Sequence, residues 1–299
     1  MTRVLVVGGV SWDSILQLGD LPEPRAQTVF SRGFHETVGS TGAGKALNLA
    51  RLGLDVTLHA FVGADPFGAL VRERLAAEPL RFVAEHDPRG TERHVNLMAD
   101  DGRRISIYAA YATFEPHYDA ARLEALIADT DVVALNIINY ARTLIPTIKR
   151  LGKPLWCDIH DWDGRNDYHR DFVAAADVLF MSDGAMPDTP AFMAAQIAAG
   201  KSLVVATRGA AGASALDATG RWHHTPAYPV PRVVDTNGAG DAFFSGLLYA
   251  HARGHALPRA LRLAAIVGAR CVSHPELADP ALTAATVEGL EASWPVATP

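Results

Sequence analysis

The stretch Val233-Val234-Asp235-Thr236-Asn237-Gly238-Ala239-Gly240-Asp241 decides the fold, because it joins an extended apolar segment to a long helical pattern. The apolar segment ends at Asp235, and side chains recur with helical spacing from Gly240 to His251. The residues between them are small or polar, so backbone N–H groups can converge at the start of the helix. That end of a helix carries partial positive charge, and the stretch therefore predicts an anion-binding loop.

Asp241 projects from the first helical turn, beside the predicted anion-binding loop. A carboxylate at this point can remove the proton from an attacking hydroxyl, while the loop stabilises charge on a phosphoryl group in transfer. An isolated Asp would most simply be a first-turn residue that the helix dipole favours. The glycines Gly238 and Gly240, with a second carboxylate at Asp235, favour the catalytic interpretation.

The composition excludes several classes of function. The chain has 299 residues, 49% of them apolar, and a net charge of 27 − 33 = −6 with His neutral. An acidic chain with scattered charge has no basic surface for nucleic acid or for an acidic membrane. No signal peptide or membrane-spanning stretch is recognisable, and Cys157 and Cys271 match no pairing motif. These features predict a cytoplasmic enzyme with reduced, buried thiols.

Short β-branched runs alternate along the chain with Ala- and Leu-rich helical stretches. The predicted strands are 4–7, 56–62, 131–135, 154–158, 178–181 and 202–207, and the predicted helices are 43–52, 67–78, 143–151, 171–175 and 189–199. This alternation predicts an α/β fold, in which a central, mostly parallel sheet carries helices on both faces.

Two segments interrupt the alternation. Residues 15–38 are rich in Pro, Gly and Thr, and residues 91–111 contain two strand-like runs around Asp100-Asp101-Gly102, a strong hairpin signal. We expect both segments to pair into a small antiparallel sheet outside the main layer, which would form a lid. The expected division assigns residues 14–38 and 89–112 to the lid, and residues 1–13, 39–88 and 113–299 to the main domain.

The Asp235–Asp241 segment resembles the second signature of the ribokinase-like (PfkB) carbohydrate kinase family, in which a DTxGAGD motif precedes an aromatic-bearing helix. The resemblance implies a ribokinase-like fold, with ATP and Mg²⁺ as cofactors. It implies that Asp241 is the catalytic base and that Gly238, Ala239 and Gly240 form the anion hole.

Segments near the N-terminus resemble the substrate-binding part of the same family. The run from Val6 to Asp13 is similar to the first strand and the Asp that binds substrate hydroxyls, so Asp13 would lie just past the end of a strand. The segment Gly44-Lys45-Ala46-Leu47-Asn48 resembles the first signature. The resemblance implies that Gly44, Lys45 and Asn48 line the substrate site.

Two further segments resemble the nucleotide-binding part. The loop Thr207–Gly212 is similar to the Thr-x-Gly-x-x-Gly loop that covers the nucleotide phosphates, which implies cofactor contacts from Thr207, Gly209 and Gly212. The helix Leu261–Ser273 lies where the family has its adenine-side wall, and Ala265 is the expected contact.

The cation sites follow the family only in part. The resemblance implies that the loop containing Asp235 and Asn237 holds a monovalent cation, K⁺. The family's Asn-x-x-Glu element, which organises magnesium, reads Ser182-Asp183-Gly184-Ala185 here. The Asn is replaced by Ser182 and the Glu by Ala185, and Asp183 could serve as a substitute. We therefore expect magnesium to be held mainly by ATP and water.

Two other readings of the sequence compete with this one. The run Gly39–Ala46 nearly fits the P-loop pattern GxxxxGK[ST], but Ala46 stands where the mechanism needs Ser or Thr, and the preceding strand pattern is weak. The polar run from Asp158 to Asp163 fits no standard metal-ligand spacing. A solvated loop is the favoured interpretation of that run, with a role near ATP or substrate as the alternative.

The sequence therefore predicts an ATP-dependent kinase that transfers the γ-phosphoryl group to a hydroxyl of a sugar or a related small molecule. Arg103 and Arg104 in the lid slightly favour a sugar or sugar phosphate as the acceptor. A nucleoside is the first alternative acceptor. A non-catalytic sugar- or nucleotide-binding regulator is the second alternative. Only the lost Asn-x-x-Glu element supports it, and the intact Asp241 loop opposes it. Exposed lid edges often pair in the family, so a homodimer through the lid is the expected assembly.

Overall fold

The structure, a computed structural model, describes residues 1–294 of the chain. The strands are β1 (Arg3–Val7), β2 (Ser11–Gln17), β3 (Gly33–Gly39), β4 (Asp55–Val62), β5 (Arg81–His86), β6 (Glu92–Met98), β7 (Arg104–Ala110), β8 (Val132–Asn136), β9 (Leu155–Asp158), β10 (Val178–Ser182), β11 (Leu203–Thr207), β12 (Ala213–Asp217) and β13 (Trp222–Thr225). The helices are α1 (Thr41–Arg51), α2 (Pro66–Ala76), α3 (Ala120–Ala128), α4 (Asn139–Arg142), α5 (Ile145–Arg150), α6 (Arg170–Ala175), α7 (Thr189–Ala198), α8 (Ala239–Ala252), α9 (Leu257–Val272) and α10 (Ala284–Ser293).

Each strand and helix predicted from the alternation is present, and its ends agree within two residues. The sequence pattern did not reveal β5, β12, β13 or α3. β5 and β13 contain charged residues and histidines that hide the apolar alternation, and pairing with neighbouring strands makes them part of the sheet.

The main sheet has the strand order β13-β12-β11-β10-β9-β8-β1-β4-β5. All pairs from β11 to β5 are parallel, and β12 and β13 add an antiparallel edge. The chain order reverses at β1, which lies between β8 and β4. Ligands of open α/β sheets bind beyond the carboxyl ends of the strands near such a reversal. The loops after β1, β8 and β9 are therefore the place to look for a site.

Helices cover both faces of this sheet, as predicted. Alternate residues of β1 enter different cores: Val4 and Val6 pack with α1, α8 and α9, whereas Leu5 and Val7 pack on the opposite face with α3 to α7. This follows from the two-residue period of a strand. Burial on both faces explains why β1 is a continuous apolar run.

The lid is a separate sheet with the order β3-β2-β6-β7. Its central pair, β2 and β6, is parallel, so the expectation of an antiparallel sheet is wrong for this pair. The two strands come from distant segments that enter the lid in the same direction. β2 begins at Ser11, which places Asp13 inside the lid sheet and not in a loop after β1.

Two carboxylates fix the base of the lid. Asp65, the N-cap of α2, accepts hydrogen bonds from the backbone and hydroxyl of Thr91, where the chain enters β6. Asp87 is 1% exposed and accepts hydrogen bonds from the backbone N–H and the hydroxyl of Thr113, where the chain leaves the lid. The turn from Gly63 to Gly68, which contains Asp65, therefore orients the lid.

Two further sequence predictions concern the burial of the two cysteines and the lack of a membrane-spanning stretch. Cys157 and Cys271 are unpaired and buried, as predicted. Within residues 1–294, the structure has no helix whose length and apolar character would let it cross a membrane.

Candidate active site

The loop before α8 forms a helix N-terminus with free donors. Gly238 is the N-cap residue, and its φ of 76° is a left-handed conformation that glycine adopts readily. Within the described part of the chain, the N–H groups of Gly238, Gly240 and Asp241 have no backbone or side-chain acceptor, whereas the Ala239 N–H donates to Thr236 over 3.4 Å. Unpaired donors at the end of a 14-residue helix are suited to bind an anion.

Three buried charged side chains, which we call the ionic cluster, meet at this helix end: Lys45 from α1, Asp158 from the end of β9, and Asp241 from α8. The Lys45 ammonium donates to one Asp241 oxygen and lies 3.7 Å from Asp158 Oδ2. Side-chain exposure is 1% for Lys45, 9% for Asp158 and 8% for Asp241. Both carboxylates border a cavity of about 190 Å³ that also includes Gly238–Gly240. The sequence-predicted base and anion hole therefore share one cavity.

The protonation of the ionic cluster follows from its charges. Burial would lower the pKa of Lys45, but the Asp241 and Asp158 carboxylates outweigh burial and raise it. Burial also raises the pKa of Asp241, although Lys45 and His160 oppose the change. For Asp158, His160 and Lys45 overcome burial and lower the pKa. One ammonium faces two carboxylates, so Asp241 is the member of the cluster that most readily accepts a proton.

The structure separates the residues that were predicted to line the substrate site. Gly44 lies against the base, because a Cβ at this position would be 3.0 Å from Asp241 Oδ2. Lys45 lies behind Asp241 and not in the open cleft. Asn48 is 1% exposed and donates to the carbonyls of Gly44 and Leu277. A single turn of α1 thus separates Gly44, which lies beside Asp241, from Asn48.

The P-loop alternative does not agree with this geometry. The run Gly39–Ala46 follows β3 of the lid and not a strand of the main sheet, and Lys45 is neutralised by carboxylates. The interpretation of Asp158 as part of a solvated loop is wrong, since it is buried in the ionic cluster. A polar residue directly after a buried strand was the signal that could have found it.

Backbone strain is concentrated at the same place. Among residues 1–294, the non-glycine residues with positive φ are Ser40, at 74°, and His160, at 54°. Ser40 precedes α1, and His160 borders the 190 Å³ cavity, where its Nδ1 lies 3.5 Å from Asp158 Oδ2. Such conformations persist only where surrounding contacts impose them, and they cluster at functional sites.

Asp13 lies at the centre of a polar network on the inner face of the lid. It is 2% exposed and accepts hydrogen bonds from Ser11 Oγ at 2.6 Å and Asn96 Nδ2 at 3.2 Å, and His94 Nδ1 lies 3.3 Å away. A Cβ on Gly39 would be 2.1 Å from Asp13 Cγ, so glycine is required beside it. This network supplies hydroxyl-binding groups on the lid side of the cleft.

His94 holds a positive charge in that network. Burial disfavours the charge, but hydrogen bonds to Asp13 and Glu92 raise the pKa of His94 to about 9. Its Nε2 lies 3.1 Å from Glu92 Oε1, and its ring is 4.1 Å from the ring of Tyr108. Sequence reasoning missed His94 and Glu92, because only the parallel pairing of β2 with β6 brings them to Asp13.

Asp235 and Asn237 lie in the loop before α8. Asp235 is 4% exposed, and burial raises its pKa, although the Asn237 N–H donates to it over 2.7 Å. Asn237 Oδ1 accepts from Arg104 Nη1 over 2.5 Å, which joins the lid to the anion-binding loop. A buried carboxylate without a cationic partner within 4 Å in the described structure is a group that a bound cation would stabilise.

Arg104, from β7 of the lid, borders the 190 Å³ cavity. It borders the same space as Gly238 and Asp241 and forms no salt bridge with any residue between 1 and 294. The neighbouring Arg103 is different, since it pairs with Asp20 and Asp101 at the surface. Arg103 belongs to the turn before β7, whereas Arg104 is the first residue of the strand, and this explains the contrast.

The predicted nucleotide residues lie at the end of β11, on the loop after it and on α9. Thr207 ends β11 and donates to Met181 O over 3.3 Å, and Gly209 and Gly212 have φ of 53° and 86°. A Cβ on Gly212 would be 2.0 Å from Thr225 O, so the loop needs glycine. Ala265, 6% exposed, lies in the core on α9.

The part of the chain between residues 1 and 294 contains no cluster of three His, Cys, Asp or Glu side chains that could hold a metal ion. Asp183, the substitute considered for the missing element, accepts a hydrogen bond from Thr189 Oγ1. The carboxylates of the ionic cluster, Asp158 and Asp241, both pair with Lys45.

A doubly covered α/β sheet, a lid, and a carboxylate beside a helix N-terminus define a phosphotransferase with an alcohol group as acceptor. The chain belongs to the pfkB family of carbohydrate kinases, whose pattern matches residues 1–284. It is 37% identical over 279 residues to acarbose 7(IV)-phosphotransferase of Actinoplanes sp., covering 92% of this chain and 93% of that protein. It is 28% identical to fructoselysine 6-kinase of Escherichia coli, covering 77% of this chain and 89% of that protein.

Solved structures agree with the fold. The microbiome-derived acarbose kinase Mak1 superposes with a TM-score of 0.88 at 29% identity, covering 97% of this chain and 99% of that chain. Ribokinase of Arabidopsis thaliana, solved with ribose and ATP, gives a TM-score of 0.80 at 20% identity, covering 97% of this chain and 99% of that chain. The predicted ribokinase-like fold and carbohydrate kinase class are confirmed.

Proposed function

We propose that this chain transfers the γ-phosphoryl group of ATP to a hydroxyl of a sugar, with Asp241 as general base and the N-terminus of α8 as anion hole. The observation that carries the proposal is the shared cavity, in which the Asp241 carboxylate adjoins the free N–H groups of Gly238 and Gly240. The base and the charge-stabilising donors can then act on the same phosphoryl group.

The reaction follows from this arrangement. The acceptor sugar lies between α1 and the lid. Asp13 accepts hydrogen bonds from its hydroxyls, and Asn96 donates hydrogen bonds to them. Asp241 takes the proton of one acceptor hydroxyl while the oxygen of that hydroxyl forms a bond to the γ-phosphorus. The bond from that phosphorus to the bridging oxygen breaks, and ADP leaves along the Thr207–Gly212 loop. The donors at Gly238 and Gly240 stabilise charge on the transferring group.

An acceptor panel tests the proposal. Purified protein with ATP and Mg²⁺ is assayed for ADP release with monosaccharides, oligosaccharides, amino sugars and nucleosides. We expect turnover with sugars and little with nucleosides, the rival acceptors. Turnover with nucleosides alone would establish the rival, and thermal shifts without any turnover would favour a non-catalytic binder.

We propose that Arg104 contributes positive charge to the anion hole. Arg104→Ala should lower kcat by roughly 10²-fold, the scale for loss of one charge-stabilising donor. Arg103→Ala is the matched control and should leave kcat about unchanged, because its exposed partners lie outside the cavity. Steady-state kinetics with varied ATP check both variants. Equal effects of the two substitutions would show that Arg104 acts only through the folding of the lid.

Magnesium would arrive with ATP, where it supplies charge neutralisation of the phosphates. Since the ionic cluster offers it few free oxygens, we expect activity to need a high free Mg²⁺ concentration after ATP is saturated. A titration of initial rate against free Mg²⁺ measures this. Saturation at low free Mg²⁺ would mean that the protein itself contributes a tight site.

Two smaller proposals concern the loop before α8 and the assembly. We propose that a monovalent cation such as K⁺ binds near Asp235 and Asn237, where it would neutralise the buried carboxylate. We also propose a homodimer through the lid, because Phe34, Ile105 and Ile107 expose 62%, 39% and 46% of their surface there.

A further inference from the structure

A second cavity, of about 300 Å³, opens between the lid and the carboxyl ends of β1 and β8. Its polar border consists of Glu92, Asn139 and the backbone of Gly8 and Gly9. Its other walls are rich in aromatic side chains: Phe61, Tyr108, Tyr111, Phe114, Tyr140 and Tyr168. We call this space the aromatic cavity. Its volume is at the lower end of the range of about 300–1,000 Å³ that is typical of small-molecule sites.

Three of these rings are unusually exposed for their size. Tyr108 is 53% exposed, Tyr111 59% and Phe114 61%, and all three border the same cavity. Tyr108 and Tyr111 lie nearly parallel, with an interplanar angle of 12° and centroids 6.3 Å apart. Large aromatic surfaces left open around one concave space mark a binding site and not a packing defect.

The aromatic cavity lies on the acceptor side of the base. Along the sheet, the Thr207 loop follows β11, Asp158 follows β9, and the cavity lies over β8 and β1. Adjacent strands are about 4.8 Å apart, so the cavity lies about 5–10 Å beyond Asp158, away from the nucleotide loop. This offset places it next to the position of the phosphorylated ring, on the side opposite ATP.

The charge of the aromatic cavity identifies the kind of ligand. Glu92 is the one charged group among the residues that border it, and the protonated His94 lies between Glu92, at 3.1 Å, and Asp13. The described residues of the border offer no cationic side chain to an anionic ligand, so the cavity suits a neutral ring with hydroxyl groups better than a phosphate. Aromatic faces stack on the C–H faces of a neutral sugar ring, and Glu92 and Asn139 can bond its hydroxyls.

We propose that the aromatic cavity is a subsite for a second sugar ring, and that the acceptor is a glycoside of two or more rings. The inference rests on the proposed function, in which the first ring lies beside Asp13 and Asp241. The second ring packs on Tyr111 and Phe114, which follow β7 and lie at the mouth of the cavity.

The test compares Tyr111→Ala and Phe114→Ala with the control Trp222→Ala, an exposed aromatic on β13 at the far edge of the main sheet. Each variant is assayed with glucose, maltose, maltotriose, cellobiose and lactose. Wild-type kcat/KM should be roughly 2- to 12-fold higher for a two-ring acceptor than for glucose, the scale of one stacked ring. Tyr111→Ala and Phe114→Ala should remove that preference through KM, with glucose kinetics and kcat unchanged.

Failure of this inference is distinct from failure of the proposed function. Turnover without dependence on ring number, or equal loss for glucose and maltose in the two variants, overturns the subsite while the kinase assignment stands. If no sugar is phosphorylated, calorimetric titration with the same sugars and no nucleotide decides. Binding of two-ring sugars that Tyr111→Ala and Phe114→Ala weaken supports the subsite, and absence of binding overturns it.

Discussion

Asp241→Asn is expected to lower kcat by about 10²–10⁴-fold, the usual scale for a positioned general base. The amide has nearly the same shape as the carboxylate but cannot accept the hydroxyl proton. KM for ATP should change little, since the free N–H groups at the start of α8 remain. Steady-state kinetics with the best acceptor of the panel give both parameters.

The pH profile adds a second measurement on the same residue. Because burial raises the pKa of Asp241, the acidic fall in kcat should occur at a higher pH than for an ordinary aspartate. Asp241→Asn should lose that limb of the profile. Asp163→Asn is the matched control, since that carboxylate accepts only from backbone N–H groups in an exposed loop. An Asp241→Asn variant with near-native kcat would refute the assignment of the base.

Lys45→Met is expected to destabilise the fold by about 3–5 kcal/mol, because it leaves two buried carboxylates without their shared cation. Methionine fills a similar space, so the loss reflects charge more than volume. The missing ammonium should raise the pKa of Asp241 further, and the acidic limb of kcat should move to higher pH. Denaturant unfolding and the pH profile measure the two effects.

The sign of the pH dependence follows from linkage. A carboxyl group whose pKa is higher in the folded state binds protons more readily there, so stability is lost as the pH rises through that pKa. Lys45→Met should therefore lose more stability at pH 8 than at pH 5. Adding Asp241→Asn removes one of the unpaired charges and should restore part of the loss. Additive losses in the double variant would show that the two side chains are not coupled.

The sequence predicted the geometry of the loop before α8 better than the positions of the residues on α1. The Asp235–Asp241 run is local, since a strand end, small residues and a helix start suffice to place a carboxylate at a helix N-terminus. The different positions of Lys45, which contacts Asp241, and Asn48, which contacts backbone carbonyls, were not predictable in this way. Both lie on α1, but which one reaches Asp241 depends on how α1 packs on α8.

The residues that were missed come from distant segments. His94 and Glu92 have no motif around them, and the solvated loop that was favoured for Asp158 was wrong; each of the three gains its position from strand pairing in one of the two sheets. The lid was predicted from composition and a hairpin signal, but the direction of the β2–β6 pair was not. The two-residue period of a strand specifies which face each side chain occupies. It does not specify which strand is the partner or in which direction that strand runs.

The parallel β2–β6 pair also constrains the order in which this chain can fold. A hairpin can close as soon as it leaves the ribosome, whereas β2 must wait for β6 until residues 18–91 have been made. Those residues include β4 and β5 of the main sheet and the helices α1 and α2. Pairing between remote segments is slow because the closure entropy of the intervening chain opposes it. Asp13 and His94 therefore meet late, and a nascent chain acquires the polar network of its lid only after about the first third of the protein has been synthesised.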